Sequence, residues 1–315
     1  MIAVIGEVLI DLVVGADGRV GAHPGGGPYN AARTLARLGV PATFLGGIAG
    51  DGFGRLLREH LLSDGVTLGI PGPSGRPSTL AVASLDRDGV ADYTFYLNDT
   101  AAADLDYETL KKALPADIGA VHVGALGLVM EPIGAATERL IETDVPGSAL
   151  VLLDPNCRPG AIAAPLAYRK RIAAVARRAD IVKASVEDLA YLYPGVPSGE
   201  AATVLLEAGS SLVLVTDGPR PARAFLPGAA LTEPVPGVTV ADTIGAGDAF
   251  GGGFLAWWTA HGLGRPDLHR KELVGAALKA ATAAAALTCT RPGADPPTRA
   301  DLRSGNWWPE AQFPG

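Results

Sequence analysis

Residues 242–255 read DTIGAGDAFGGGFL. Two aspartates and five glycines stand where the pattern predicts the start of a helix. Glycine inside a helix costs about 1 kcal/mol relative to alanine, so Gly251, Gly252 and Gly253 need a reason. A glycine-rich turn entering a helix presents unpaired N–H groups and the positive end of the helix dipole. Gly245, Ala246 and Gly247 can therefore cradle an anion, and Asp248 aims an acid at the same place. A carboxylate there suits a base that takes a proton from a nucleophile attacking the anion. Phosphoryl transfer has that pairing. A purely structural turn is the plain alternative. The dinucleotide pattern GxGxxG is another, but it belongs after a first strand, with an acid about 20 residues on at the end of the next strand. Here the motif begins at residue 245, and Asp267 lies in no recognisable strand.

The whole chain fits an enzyme of small metabolites. Its 315 residues are 48% hydrophobic and 19% charged, enough for a sizeable core, and the net charge of -7 leaves no basic surplus for nucleic acid. Cys157 and Cys289 form no CxxC pair and read as reduced thiols. The opening MIAVIGEVLIDLVV lacks a basic leader, and Glu7 and Asp11 interrupt its apolar run, so it does not read as a signal peptide. No apolar run approaches the roughly 20 residues of a bilayer span. A cytoplasmic protein is the expectation.

Strand-like runs recur: IAVIG at 2–6, ATFLGGI at 42–48, AVHVGAL at 120–126, ALVLLDP at 149–155, ADIVKAS at 179–185 and SLVLVTD at 211–217. Helical patterns separate them at 30–38, 54–65, 131–143, 161–178 and 199–208. The last third reads as helices at 246–261 and 270–287. This alternation predicts an α/β fold, a mostly parallel sheet with helices on both faces. STLAVASL and VADYTFYL, around the turn DRDG at 86–89, predict an inserted hairpin. Ligands of such sheets bind at the carboxyl ends of strands, where Glu7, Asp11, Asp154, Asn156, Thr216 and Asp217 cluster. Trp307 and Trp308 read as packing residues, and the five histidines form no metal or catalytic pattern.

A second glycine segment, HPGGGPYNAARTLARLG at 23–39, precedes the first helix. Alone it is a turn capped by Asn30 or a close approach to a ligand. Taken with DTIGAGDAFGGGF, it resembles the paired signatures of the ribokinase-like, or PfkB, carbohydrate kinases, over nearly the whole chain. No GxxxxGK[ST] or protein-kinase motif competes.

The resemblance implies a single ribokinase-like domain with a small β lid formed by about 11–23 and 76–99. It implies that Asp248 is the catalytic base, with Gly245, Ala246 and Gly247 as the anion hole. Sugar contacts fall on Asp11, Gly26, Gly27, Asn30 and Tyr96, the last from the lid. A hairpin aromatic packed on its partner strand is the alternative for Tyr96. Nucleotide contacts fall on Lys183, Asp188, Thr216 and Gly218. In KASVEDL, Ser185 and Asp188 align with the family's NxxE element, and neighbouring Glu187 competes with Asp188 as the acid that organises magnesium. In TDGPRP, Pro221 replaces the second glycine of a nucleotide turn and removes a donor. Asp242, with Thr243, Ile244 and the loop TCTRPGA at 288–294, resembles a monovalent-cation site; a helix cap is the alternative. The cofactors so implied are ATP, Mg2+ and K+.

GGGPYNAARTLARLG, DPNCRP and LTCTRPGA resemble the fructokinase branch most. DPN.R also occurs in 2-keto-3-deoxygluconate kinases, so Arg158 discriminates: aimed at the sugar it favours an acid sugar, aimed at ATP it leaves fructose ahead. Ribose follows. A sugar- or nucleotide-sensing protein that lost catalysis is the reading from another class. An exposed lid makes a homodimer through edge pairing a further expectation.

Overall fold

The computed structural model describes residues 1–86 and 91–311. The turn expected at 86–89 lies, apart from Asp86, outside them. In chain order the first elements are β1 (Ile2–Ile5), β2 (Leu9–Val14), β3 (Val20–Gly25), α1 (Gly27–Arg37), β4 (Ala42–Leu45), α2 (Gly52–Ser63), β5 (Thr67–Leu68), β6 (Thr79–Leu85) and β7 (Ala91–Tyr96). Next come α3 (Tyr107–Ala113), β8 (Ala120–Gly124), α4 (Ile133–Thr143), β9 (Leu150–Asp154), α5 (Pro165–Arg178), β10 (Ile181–Ser185), α6 (Val186–Leu192) and α7 (Ser198–Glu207). The chain closes with β11 (Leu212–Asp217), β12 (Arg220–Leu226), β13 (Ala229–Glu233), α8 (Ala246–Ala260), α9 (Lys271–Thr288) and α10 (Arg299–Ser304).

Nine strands form one sheet in the order β13-β12-β11-β10-β9-β8-β1-β4-β5. All neighbours from β11 to β5 pair in parallel, while β12 and β13 are antiparallel. β1, β8 and β9 are buried at every position, the mark of central strands covered on both faces. Their side chains alternate between two cores. Ile2, Val4, Leu150 and Leu152 join the core under α1, α8 and α9. Ala3, Ile5, Val151 and Leu153 join the core under α4, α5 and α7. The expected α/β architecture is therefore present.

The sequence reading missed the β12–β13 hairpin because RPARAFL carries a proline and little apolar periodicity. Pro221 is accommodated because the β11–β12 ladder is irregular between Val215 and Asp217, and β12 begins to pair with β13 only at Ala222. Gly218 at φ +54 and Pro219 make the two-residue connection, a glycine-first hairpin turn. The short helices α3, α6 and α10 were also not read.

A second sheet, β3-β2-β6-β7, stands apart. β2 pairs with β3 antiparallel and with β6 in parallel, and β6 pairs with β7 antiparallel. It projects from the carboxyl edge of the large sheet, because β2 follows β1 after only three residues.

The glycine run falls in the second turn of α8, not the first, since the helix begins at Ala246. A methyl on Gly252 would lie 2.9 Å from Thr34 Cβ of α1, and one on Gly253 would lie 2.9 Å from Ala284 Cβ of α9. These two glycines let α8 pack against both neighbours at near backbone contact.

Candidate active site

Asp248 stands where two cavities meet. A polar cleft of about 100 Å³ lies between the two sheets, lined by Asp11, Asn30, Arg158 and Asp248, with Tyr93 and Phe95 of β7 above. A larger, mostly apolar cavity of about 620 Å³ lies on the other side, bounded by Thr216, Gly218, Val238, Phe250 and Cys289. Ala246 and Gly247 line the second cavity, so the start of α8 forms the partition.

Local chemistry explains the partition. Gly245 adopts φ +77 as the residue before α8, and no side chain caps the helix. The N–H groups of Gly247 and Asp248 are thus left for a ligand, while that of Ala246 donates to the Thr243 carbonyl at 3.3 Å. Asp242 is not the helix cap. Its Oδ1 accepts from Ile244 N (3.1 Å) and its Oδ2 from Gly293 N (2.9 Å), which ties the loop after α9 to the approach to α8.

Asp248 is 7% exposed and holds two amide contacts. Asn30 Nδ2 donates to its Oδ2 at 2.8 Å, and Asn156 Nδ2 to its Oδ1 at 3.3 Å. Burial raises the Asp248 pKa above the ordinary carboxylate range, while Asn30, Lys183 and Arg158 pull it back. Asp11 is raised to about 6 by burial and by the charge of Asp248, against the opposing charges of Arg158 and His23. Three carboxyl groups, those of Glu7, Asp11 and Asp248, thus share one cleft with a guanidinium.

Backbone approach supplies the rest. Gly26 has φ +111, and a methyl on Gly27 would lie 3.2 Å from Asp248 Oδ1 and 3.1 Å from Asn156 Nδ2. Glu7, 1% exposed, fixes this turn: Oε1 accepts from Gly27 N at 3.1 Å and Oε2 from Gly127 N at 2.7 Å. Burial drives its pKa to about 7 in spite of those bonds.

Tyr96 is where strand geometry departs from the expectation. Side chains alternate along β7, so Tyr93 and Phe95 share one face and Tyr96 takes the other. Phe95 pairs with Ala81 and Tyr93 with Ala83, and Ala81 lines the cleft with both aromatics. Tyr93 and Phe95 stack with centroids 6.1 Å apart. Tyr96, opposite Leu80, is not among the cleft residues.

Thr216 and Gly218 line the wall of the second cavity. Lys183 does not reach it. It is 3% exposed, and its Nζ donates to Asp154 Oδ2 at 2.9 Å. Burial opposes its charge, but Asp154, Asp188 and Asp248 outweigh that and keep the ammonium charged. A methyl on Gly247 would lie 2.9 Å from that Nζ, so the ammonium sits directly beneath the partition. Asp188 is committed elsewhere: Oδ1 accepts from Cys157 N (2.6 Å) and Oδ2 from Ser185 N (2.8 Å), with Ser185 capping α6 in return. Glu187, next in the chain, is exposed, and its charge, with that of Asp217, reinforces the charge of Arg220 on the cavity rim. Among the described residues no three His, Cys, Asp or Glu side chains cluster as a metal site.

The residues that the reading underused are Glu7, Asn156, Tyr93 and Phe95. Asn156 had a signal, the DPN after β9, and its φ of +40 turns the amide toward Asp248. Glu7 had only its place after β1.

A buried carboxylate between a polar cleft and a larger apolar cavity, with free helix N–H groups beside it, is an arrangement suited to phosphoryl transfer to a hydroxyl. The comparisons agree. The chain is 37% identical to the fructokinase of Rhizobium leguminosarum bv. trifolii, covering 81% of this chain and 79% of that one. It superposes on the fructokinase of Vibrio cholerae O395 with bound fructose, ADP and calcium ion at a TM-score of 0.83 and 26% identity, covering 96% and 97% of the two chains. The fructokinase of Xylella fastidiosa with bound ATP gives 0.84 and 26%, at the same coverage. A family model described as pfkB family carbohydrate kinase matches residues 1–301, and the chain belongs to that family.

Proposed function

We propose that the protein phosphorylates D-fructose, moving the γ-phosphate of ATP to the primary hydroxyl to give fructose 6-phosphate. The observation that carries this is the position of Asp248 at the junction of the two cavities; the fructokinase relatives support the choice of sugar. The sugar lies in the polar cleft, its hydroxyls held by Asp11, Asn30 and the Gly26–Gly27 backbone, under Tyr93 and Phe95. Asp248 accepts the proton as the sugar oxygen bonds to the γ-phosphorus. The bond from that phosphorus to the bridging oxygen breaks, and ADP leaves with the electron pair. The N–H groups of the 245–247 turn stabilise charge on the transferred group, and the sheet above excludes water.

The apolar cavity fits the nucleoside of ATP. Glu187 and Asp242 fit hard cations by donor type. We assign Mg2+ to Glu187, and K+ to Asp242 with the carbonyls of 288–294. Mg2+ would neutralise phosphate charge. Among the described residues no helix is long and apolar enough to cross a membrane, and we place the work in the cytoplasm, where ATP is supplied. The open edges β3 and β7 support a homodimer through the small sheet.

Arg158 supports a second reading. It lines the cleft with Asp11 and not the nucleotide cavity, and a guanidinium there suits an acid sugar such as 2-keto-3-deoxygluconate. ADP release measured across fructose, 2-keto-3-deoxygluconate and ribose decides. The largest kcat/KM on fructose is expected. A largest value on the acid sugar would transfer the assignment. No turnover on any sugar, with fructose raising Tm, would point to a binding protein.

A further inference from the structure

One face of α1 carries Asn30, Arg33 and Arg37, spaced three and four residues apart. Asn30 holds the base. Arg33, 8% exposed, donates through Nε to Asp64 Oδ2 at 2.6 Å and through Nη1 to the carbonyl of Ala294 at 3.0 Å. Arg37 donates to Asp295 Oδ1 at 2.7 Å. The segment they grip lies against the anion turn: Ala294 packs on Gly245 so closely that a methyl on Gly245 would lie 2.6 Å from its Cβ. From the other side, Gly293 N is held by Asp242. The same helix therefore grasps the base and the segment that backs the phosphate-binding turn.

We propose that Arg33 is a positioning residue for phosphoryl transfer: by gripping the Ala294 carbonyl it fixes residues 293–295 against Gly245, and so fixes the anion turn relative to Asp248. This rests on the sugar-kinase reading. Arg33 touches neither cavity, so its effect runs through Ala294. A planar fork can serve Asp64 and Ala294 together, whereas a lysine ammonium keeps the charge beside Asp64 and cannot span both.

The test compares Arg33→Lys, Arg33→Met and the control Arg299→Ala. Arg299 donates to Leu38 O at 2.6 Å and so also braces the end of α1, without holding residues 293–295. Amide hydrogen exchange of the unliganded protein reads the segment without any turnover. The hydrogen-bonded amides of the two segments, Gly293, Asp295 and Ala246, are expected to exchange at least about tenfold faster in both Arg33 variants and not in Arg299→Ala. In the kinase assay, kcat is expected to fall about 10- to 100-fold in the Arg33 variants with KM for the sugar unchanged. Arg33→Lys, which preserves the pair with Asp64, keeps the test open if Arg33→Met does not fold. Unchanged exchange in Arg33→Lys, equal losses in Arg299→Ala, or a sugar KM that rises with the loss of kcat would each overturn the proposal. A wild-type protein without kinase activity would instead sink the functional reading and leave the exchange result standing.

Discussion

Asn30 Nδ2 lies 2.8 Å from Asp248 Oδ2, joining residues 218 positions apart in the chain. The bond does two jobs. It orients the Asp248 carboxylate, and it favours the ionised form against the burial that raises the Asp248 pKa. A carboxyl with a raised pKa works above that pKa and is lost as pH falls through it. Asp11 titrates in the same cleft at about 6. The acid limb of kcat/KM should therefore lie above the range of an ordinary aspartate. Replacing Asn30 with Leu removes a donor to the anion, so that limb should move to higher pH, with a loss of about tenfold or more at neutrality. Asp248→Asn should lower kcat by about 10²- to 10⁴-fold, the usual worth of a general base, while fructose binding measured by calorimetry persists. Near-normal turnover in Asp248→Asn would remove it as the base.

The glycine run makes a prediction with opposite signs at adjacent positions. At Gly252 a methyl would press on Thr34 at 2.9 Å and on the Ala31 carbonyl at 3.2 Å. Gly252→Ala should destabilise the fold by about 1–3 kcal/mol, as overpacking does. At Gly251 the nearest atom is His122 Nε2 at 3.6 Å, an ordinary contact. Gly251→Ala should be neutral or stabilising by up to about 1 kcal/mol, because alanine is the better helix former. Urea melts of the two variants check this, and equal effects would show that α8 does not sit as close to α1 as described.

These elements also show what the sequence could and could not carry. The central strands were legible because burial on both faces demands mostly apolar runs, as in β1 and β9. The place of Asp248 in the first turn of α8 was legible in the glycine, alanine, glycine, aspartate run, while a chemical role could be suggested only from that run together with the glycine segment at 23–39. Asp188 was misjudged because alignment marks a position, while its hydrogen bonds to Cys157 N and Ser185 N depend on β9 and β10 lying side by side. The face of Tyr96 was illegible for a related reason. Alternation says that Tyr93 and Phe95 go together, yet only the assembled sheets say which side faces the cleft.

Glu7 should resist even an isosteric change. Both carboxylate oxygens accept backbone N–H groups, from Gly27 and Gly127. A glutamine must turn an NH2 toward one of those donors and leave it unpaired in the interior. Glu7→Gln should cost about 1–3 kcal/mol of stability and raise the KM for sugar, because Gly27 forms part of the cleft wall. In the wild type the folded pKa of about 7 exceeds the usual glutamate value, so the folded state binds the extra proton. Its contribution to stability should therefore decline as pH rises from about 4.5 to 7, and that slope should vanish in the variant. Denaturant midpoints over this range, compared between the two proteins, provide the measurement.

The aromatic pair on β7 gives the sharpest contrast within one strand. Tyr93 and Phe95 face the cleft across Ala83 and Ala81, while Tyr96 is turned away. Tyr93→Ala and Phe95→Ala should each raise KM for the sugar about tenfold, the worth of roughly 1.4 kcal/mol of lost contact. KM for ATP should stay unchanged, because neither residue lines the nucleotide cavity. Tyr96→Ala should leave both constants within about twofold. A strand slipped by one residue would exchange these results, since such a slip sends every side chain to the opposite face. Steady-state kinetics on the three variants therefore tests the register of the small sheet together with its role over the sugar.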